Sequence, residues 1–264
     1  MQWPTLIDAL AKRPEGPPVQ LRITVPGVRP PTPPILTVTM ENIGYRLANF
    51  ARSRNLSFEL HIAKSKNPNP SFDQEMSSEL FDPISLDIHD DEAVVVNCQS
   101  WLRFLQSETK DSFLESIHGL DPNIVTISDE DADLDSPSLT SRIMACFNYL
   151  WIPFDALETF LPKDSLQRAE YEADIGQKIE NVIGYEGEQR IEGSESGVRV
   201  GQRMRNSRFA SVAFGEETVR EVKGILDEHA SGWGMKKEEE MLVLTWKGHS
   251  SVFTTAWVPC GVEE

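Results

Sequence analysis

The C-terminal ribbon Gly232–Pro259, GWGMKKEEEMLVLTWKGHSSVFTTAWVP, constrains the fold more than any other stretch. Two apolar, β-branched runs, Met241–Trp246 and Ser251–Val258, flank Lys247-Gly248-His249. Period-2 alternation around a short glycine-containing turn specifies a β-hairpin. Leu242, Leu244 and Trp246 fall on one face of the first strand, with Val243 and Thr245 on the other. Trp233, Trp246 and Trp257, three of the six tryptophans, lie in this ribbon. Side chains of this size are first of all packing residues.

Upstream, strands and helices alternate. Leu21–Val25, Ser57–Ala63, Ala93–Cys98 and Asn123–Ser128 read as strands. Thr5–Lys12 after Pro4, Met40–Arg54 with its stripe Ile43, Leu47, Phe50 and Ala51, and Asp111–His118 read as helices, and a further helix is expected to begin at Trp101–Leu105. Val28–Pro34, with four prolines, and the polar stretch Lys64–Gln74 read as loops. This order points to βαβ units and a parallel sheet covered on both faces. The second half is helical, with an aromatic-rich region Ser138–Leu161 and amphipathic helices at Ser165–Tyr185 and Glu217–His229. The whole pattern is that of an α/β, Rossmann-like doubly wound sheet of methyltransferase type, closed by a C-terminal antiparallel hairpin.

The 264 residues carry a formal charge of −17. A surface this acidic repels phosphate, so direct DNA binding is expected to be weak or absent. Lys12-Arg13 and Lys236-Lys237 are too small for a nucleic-acid footprint, and Glu188, Glu192 and Glu195 offset the arginines at 199, 203, 205 and 208. No apolar run reaches the ~20 residues needed to span a bilayer, and the first ten residues lack the features of a signal peptide. Cys98, Cys146 and Cys260 are far apart and odd in number, which argues against a disulfide framework or a zinc site.

A cofactor enzyme of this fold needs a glycine-rich turn after its first strand and an acid after its second. No G-x-G-x-x-G occurs, and Leu21–Val25 runs into Pro-Gly. The acidic run Asp129–Asp135 imitates the start of a calcium loop, but Ser136 stands where glycine belongs and Arg142 where glutamate belongs. It reads as a solvated loop that caps the helix starting near Ser138. The histidines at 61, 89, 118, 229 and 249 have no metal-binding spacing, and no G-x-S-x-G elbow places a nucleophile. No catalytic, cofactor-binding or metal residue is assigned.

The order Trp233, Trp246, Trp257 resembles the SAW motif that closes the GRAS domain of plant transcriptional regulators. Other blocks resemble that family in the right order. Met1–Val25 is similar to the segment after the VHIID strand, and Asp121–Asp131 to the strand after the second leucine-rich region. Phe147–Leu157 and Gly176–Gly187 resemble the PFYRE block, and Arg190-Ile191-Glu192 the R-V-E of the closing region. The wording is most similar to the scarecrow-like subgroup. Two positions depart from the pattern, Gln177-Lys178 in place of Arg-Glu and Val200 in place of a tryptophan, and both are expected to weaken pairing or packing.

The resemblance implies one partial GRAS domain over 1–264, with a βαβ half to 137, a PFYRE-like region over 138–214 and a SAW-like helix and hairpin over 215–259. It also implies that the family's helical cap and first strand are missing, which would uncover neighbouring strands. The expected function is that of a nuclear plant transcriptional regulator acting by protein–protein contact. Other GRAS proteins and DNA-binding factors of zinc-finger type are the implied partners, with no membrane and no cofactor. Trp233, Trp246, Trp257, Arg190, Glu192, Phe147 and Tyr149 are the candidate motif and interaction residues. The alternatives are an S-adenosylmethionine-dependent methyltransferase-like enzyme, a truncated competitor of full-length relatives, and a fragment without function.

Overall fold

Each strand expected from the sequence forms, and the strands sort into two sheets. The computed structural model describes residues 2–27, 38–63, 86–229 and 232–261, and it divides into the units Met1–Pro70 and Ser71–Glu264. The loops expected at Val28–Pro34 and Lys64–Gln74 lie outside the described residues.

The first unit contains α1 (Gln2–Ala11), β1 (Leu21–Pro26), α2 (Met40–Ser53) and β2 (Phe58–Ala63). The two strands pair in parallel, from Leu21 opposite Phe58 to Pro26 opposite Ala63. Thr39 starts α2, its hydroxyl accepting from the Asn42 N–H at 3.2 Å, one of the orphan donors of a helix end. The expected stripe is the buried face: Leu47 and Ala51 join Ile7 and Leu56 in the core, with Ile43 and Phe50 packed against them.

The second unit is built on a mixed sheet in the order β3-β4-β8-β7-β6, with β5 pairing β8. Its elements are β3 (Val95–Gln99), α3 (Ser107–Gly119), β4 (Ile124–Glu130), α4 (Leu139–Tyr149), α5 (Trp151–Phe160), α6 (Leu166–Gly184), α7 (Gly197–Asn206), β5 (Phe209–Ser211), α8 (Glu216–Asp227), β6 (Trp233–Glu238), β7 (Met241–Trp246) and β8 (His249–Pro259). β3 and β4 are parallel, as βαβ order requires, and the antiparallel part begins at β8.

Three local expectations are corrected and one is refined. The stretch at Trp101–Leu105 forms only a 3₁₀ turn, Leu102–Phe104, because Leu105 and Gln106 are extended to enter α3 and the Arg103 carbonyl accepts from the distant Gly193 N–H at 2.7 Å. The long region Ser138–Leu161 breaks into α4 and α5. Pro153 cannot donate to the Tyr149 carbonyl four residues back, and its ring would collide with it. The ribbon has three strands, β6 pairing β7 from Trp233 opposite Trp246 to Glu238 opposite Met241. His249 opens β8 opposite Trp246, so the turn is only Lys247-Gly248, both at positive φ (48° and 86°), the geometry of the tight primed hairpin turns.

The alternation read from the ribbon decides the two cores. Val243, Phe253 and Trp257 pack with Val125 and Ile127 of β4, with Phe113, Leu114 and Ile117 of α3, and with Val200 and Met204 of α7. Trp246, on the other parity, packs with Cys146, Tyr149, Ile152 and Val182 from α4, α5 and α6. Helices therefore cover both faces, the mark of a doubly wound sheet.

Candidate functional site at the end of strand β4

In open α/β sheets, sites form beyond the carboxyl ends of the strands, and here β4 ends in the acidic run Asp129–Asp135. The run is not a solvated loop. Asp129 is 3% exposed, Asp131 and Asp135 are half-buried, and of its aspartates only Asp133 is exposed. Nor does the run cap the helix near Ser138, since the Ser138 hydroxyl itself accepts from the Ser141 N–H at 3.4 Å to start α4. Two aspartates instead receive α7. Asp131 accepts from the Gly197 N–H at 3.0 Å, and Asp133 from the Ser196 N–H at 2.9 Å and its hydroxyl at 3.2 Å. Negative charge at a helix N-terminus meets both its orphan donors and its dipole. Gly197 makes this approach possible: a Cβ there would stand 2.6 Å from the Met241 sulfur and 2.8 Å from Phe253 Cγ.

Cations from four helices and from the 3₁₀ turn complete the cluster. Arg103 Nη1 donates to Glu130 at 2.7 Å, Lys178 of α6 bonds the other Glu130 oxygen, and the Ser194 hydroxyl donates to that oxygen at 2.9 Å. Lys110 of α3, 1% exposed, donates to the Gly193 carbonyl at 2.7 Å and lies 3.3 Å from Asp135 and 3.8 Å from Glu195. Arg203 of α7 grips Glu195 through Nε (2.7 Å) and Nη2 (2.9 Å), and reaches Asp111 at 2.5 Å. Arg142 of α4 is fully buried, holding the Val182 and Ser136 carbonyls and Glu186. Together these contacts fasten residues 186–199 to the ends of β4, α3 and α6.

The electrostatics separate neighbouring carboxylates. Burial pushes the Asp129 carboxyl up to about 6, against the opposing pull of Arg103. Burial also pushes Glu130 upward, but Lys178 and Arg103 outweigh it and hold that carboxyl below its ordinary value. Glu192 ends above its ordinary value because burial outweighs Lys178 and Arg103, and its Oε2 has no hydrogen-bond partner. Burial takes the Tyr149 phenol well above its usual range, assisted by Glu130. It also takes the Cys98 thiol up to about 12, helped by Asp129.

The candidate residues fall into three places. Arg190 and Glu192 join the ionic cluster: Arg190 donates to the Ser136 carbonyl at 3.1 Å and stands 3.7 Å from Asp135, while Glu192 lies 3.6 Å from Lys178 and 3.9 Å from Arg103. Tyr149 is buried beside this cluster, its hydroxyl donating to the Ser251 carbonyl at 2.9 Å. Trp233 and Trp246 meet edge to face at 4.9 Å, and Trp246 Nε1 donates to Asp155 at 2.6 Å. Trp257 is buried on the opposite side of the sheet, donating to the Thr255 hydroxyl at 2.9 Å. Phe147, at 75% exposed, is apart from all of these.

Both departures from the family pattern lie inside the structured part of the site. Lys178 carries ion pairs to Glu130 and Glu192, and Val200 is buried in the same cluster as Trp257. Lys110, Arg142, Glu195 and Arg203 belong to the site and were not among the candidate residues. Their one signal was position, since Lys110 and Arg142 sit on the apolar faces of α3 and α4. Carboxylates this thoroughly paired are suited to holding a surface in shape. Among the described residues no group of three or more His, Cys, Asp or Glu could hold a metal ion. A groove of about 660 Å³ lies nearby, lined by α4 residues including Met144 and Asn148 and by Asp133 and Arg199.

Comparison with known proteins places this architecture. Residues 1–258 match the GRAS domain family. Scarecrow-like protein 32 of Arabidopsis thaliana is 44% identical over 98% of the chain, and DELLA protein 1 of Medicago truncatula 30% identical over 97%. The chain spans 64% and 44% of those two proteins, less than two thirds of each. The crystal structure of SCL7 from Oryza sativa superposes with a TM-score of 0.82 at 24% identity, covering 97% of this chain and 70% of that one, so the two share a fold. The chain belongs to the GRAS domain family.

Proposed function

We propose that this chain serves a plant transcriptional regulator that works in the nucleus by protein–protein contact, with DNA targeting delivered largely by a partner transcription factor of zinc-finger type. Other GRAS proteins are further partners. The observation that carries this reading is the consumption of charge at the end of β4. Where a doubly wound enzyme would present acids to a substrate, Glu130, Asp131 and Asp133 are taken by Arg103, Lys178 and the N-terminus of α7. The −17 charge supports it too, because an acidic surface favours a DNA-binding partner over DNA itself. The packing residues Trp233, Trp246, Trp257 and Tyr149 and the paired Arg190 and Glu192 set the shape of the surface, and Phe147 meets the partner.

An electrophoretic mobility assay tests this directly. The chain alone is expected to leave a duplex unshifted, and to retard further the complex of a zinc-finger factor with its site. A shift by the chain alone, or no further retardation with any factor of that class, overturns the reading. Titration calorimetry with S-adenosylmethionine is the companion measurement, and heat of binding there would favour an enzyme.

A further inference from the structure

Helix α4 presents an uncharged face on an acidic protein. Its one charged residue, Arg142, is fully buried, so the exposed side of the helix carries no charge at all. That side instead shows Leu139 (44% exposed), Met144 (56%) and Phe147 (75%), with polar, uncharged Asn148 beside them. Depletion of charge together with exposed Met and Phe is the composition of an interface core rather than of open surface. The face also has relief: Met144 and Asn148 line the 660 Å³ groove whose far side is Arg199 of α7. Asp133 stands at its rim, its side chain about half exposed. Asp133 keeps its bonds from the Ser196 N–H and hydroxyl at the start of α7, while its pair with Arg199 is 3.5 Å apart and open to water, so an incoming cation displaces only that surface pair, at small cost.

We infer that the outward face of α4 and its groove against α7 dock an amphipathic helix of a partner protein, apolar side chains over Met144 and Phe147 and a lysine or arginine towards Asp133. This deepens the reading that the chain works by protein contact, and rests on it. Charge selects the occupant. A second copy would bring another −17 to the interface, whereas a basic helix is attracted and steered. Helix-in-groove docking through residues spaced at i, i+3, i+4 and i+7 needs an apolar strip one helix long, and α4 supplies 11 residues.

The test uses the whole chain labelled at its methionine methyl groups, with the Met144 resonance assigned by Met144→Leu. The probe is a synthetic helix of about four turns with leucines on one face and lysines on its flank, alongside a twin with glutamates for the lysines. The lysine helix is expected to move the Met144 methyl resonance, and the glutamate twin to leave it in place. Phe147→Glu, at a site too exposed to disturb folding, is expected to weaken binding by about tenfold or more at an unchanged thermal midpoint. An unmoved Met144 resonance, or equal shifts with both helices, overturns the inference. Self-association that Phe147→Glu abolishes also overturns it, because the face then belongs to a second copy. The mobility assay separates this inference from the reading beneath it. A zinc-finger complex that forms with wild type and survives Phe147→Glu undiminished refutes the α4 face alone. If no such complex forms with wild type, the broader reading fails and the methyl resonance still decides the face.

Discussion

Asp129→Asn is expected to stabilise the chain at neutral pH, although it removes a charge from the centre of an ion-pair cluster. The side chain is 3% exposed, and burial lifts its carboxyl to about 6 despite Arg103 nearby. The unfolded carboxyl titrates near ~3.9, so above about pH 7 the folded chain holds a buried anion at a net cost. At about 1.4 kcal/mol per pKa unit the difference amounts to roughly 3 kcal/mol, which is a ceiling on what the substitution recovers. Between about pH 4 and 6 the folded chain keeps a proton that the unfolded chain has released. This site therefore favours folding as pH falls from 7 towards 4 and opposes it as pH rises through 6. The substitution preserves the local contacts. An amide oxygen can still accept from the Glu130 N–H, now 2.9 Å from Asp129 Oδ1, and Arg103 retains Glu130 at 2.7 Å. Near-UV circular dichroism through a thermal ramp, which reads the buried tryptophans, is the assay at pH 5 and 7.5. For a cooperative unit of this size 1 kcal/mol moves the midpoint by about 2–4 °C. A gain of several degrees at pH 7.5 that shrinks at pH 5 is the expected result. A variant that is less stable at pH 7.5, or whose advantage does not depend on pH, refutes the reasoning.

The residue next to it should behave in the opposite way. Glu130→Gln takes from Arg103 and Lys178 the nearer of the two carboxylates they share, leaving them Glu192 at 3.9 and 3.6 Å, and should cost about 3 kcal/mol in urea unfolding at pH 7. Because Glu130 is held below its ordinary value, its contribution is present above the unfolded pKa and is lost in acid, so the gap from wild type should close below about pH 4. Lys110→Met strands Asp135 and the Gly193 carbonyl and should lower stability by about 3 kcal/mol by the same measurement; an unchanged urea midpoint would mean that Arg190 already suffices for Asp135. Gly232→Ala forces a side chain onto a backbone at φ +124°, with its Cβ 2.7 Å from the Trp246 ring, and the bond from that ring to Asp155 opposes its swinging aside. A loss of about 1–3 kcal/mol is expected, together with a change in the near-UV tryptophan signal; wild-type behaviour of both would refute the close approach of this turn to Trp246.

The sheet was legible because its strands announce themselves by period. Val125 and Ile127 alternate cleanly in burial along β4, and Val243 and Trp246 part to opposite cores as the ribbon pattern requires. β6 was not, because Trp233–Glu238 carries two lysines and a glycine where a strand would show alternation. It becomes a strand only because β7 is there to pair with it, and Lys236 and Lys237 suit an outer strand that must not recruit another chain. The break between α4 and α5 could have been read from Pro153, whose effect falls four residues upstream where the apolar pattern runs on undisturbed.

The ionic cluster was illegible for a different reason. Its partners lie far apart in sequence: Lys110 with Gly193, Arg103 with Glu130, Lys178 with Glu130, Arg203 with Ser107. A helical or strand period orders neighbours on one element, and it says nothing about which distant cation a carboxylate will meet. Hence the run Asp129–Asp135 reads as a solvated loop, and Lys178 as the loss of a pairing. What could have been argued from sequence is the constraint on Lys110 and Arg142. Each occupies the buried face of an otherwise apolar stripe, and a cation there must find carboxylates or carbonyls within reach, since leaving it unpaired costs more than the fold can spare. The same constraint explains the surface that α4 shows. With Arg142 turned inward to bind the 182 and 136 carbonyls, the helix has no charge left to expose, and its outer face is apolar as a consequence of how the inner one is satisfied.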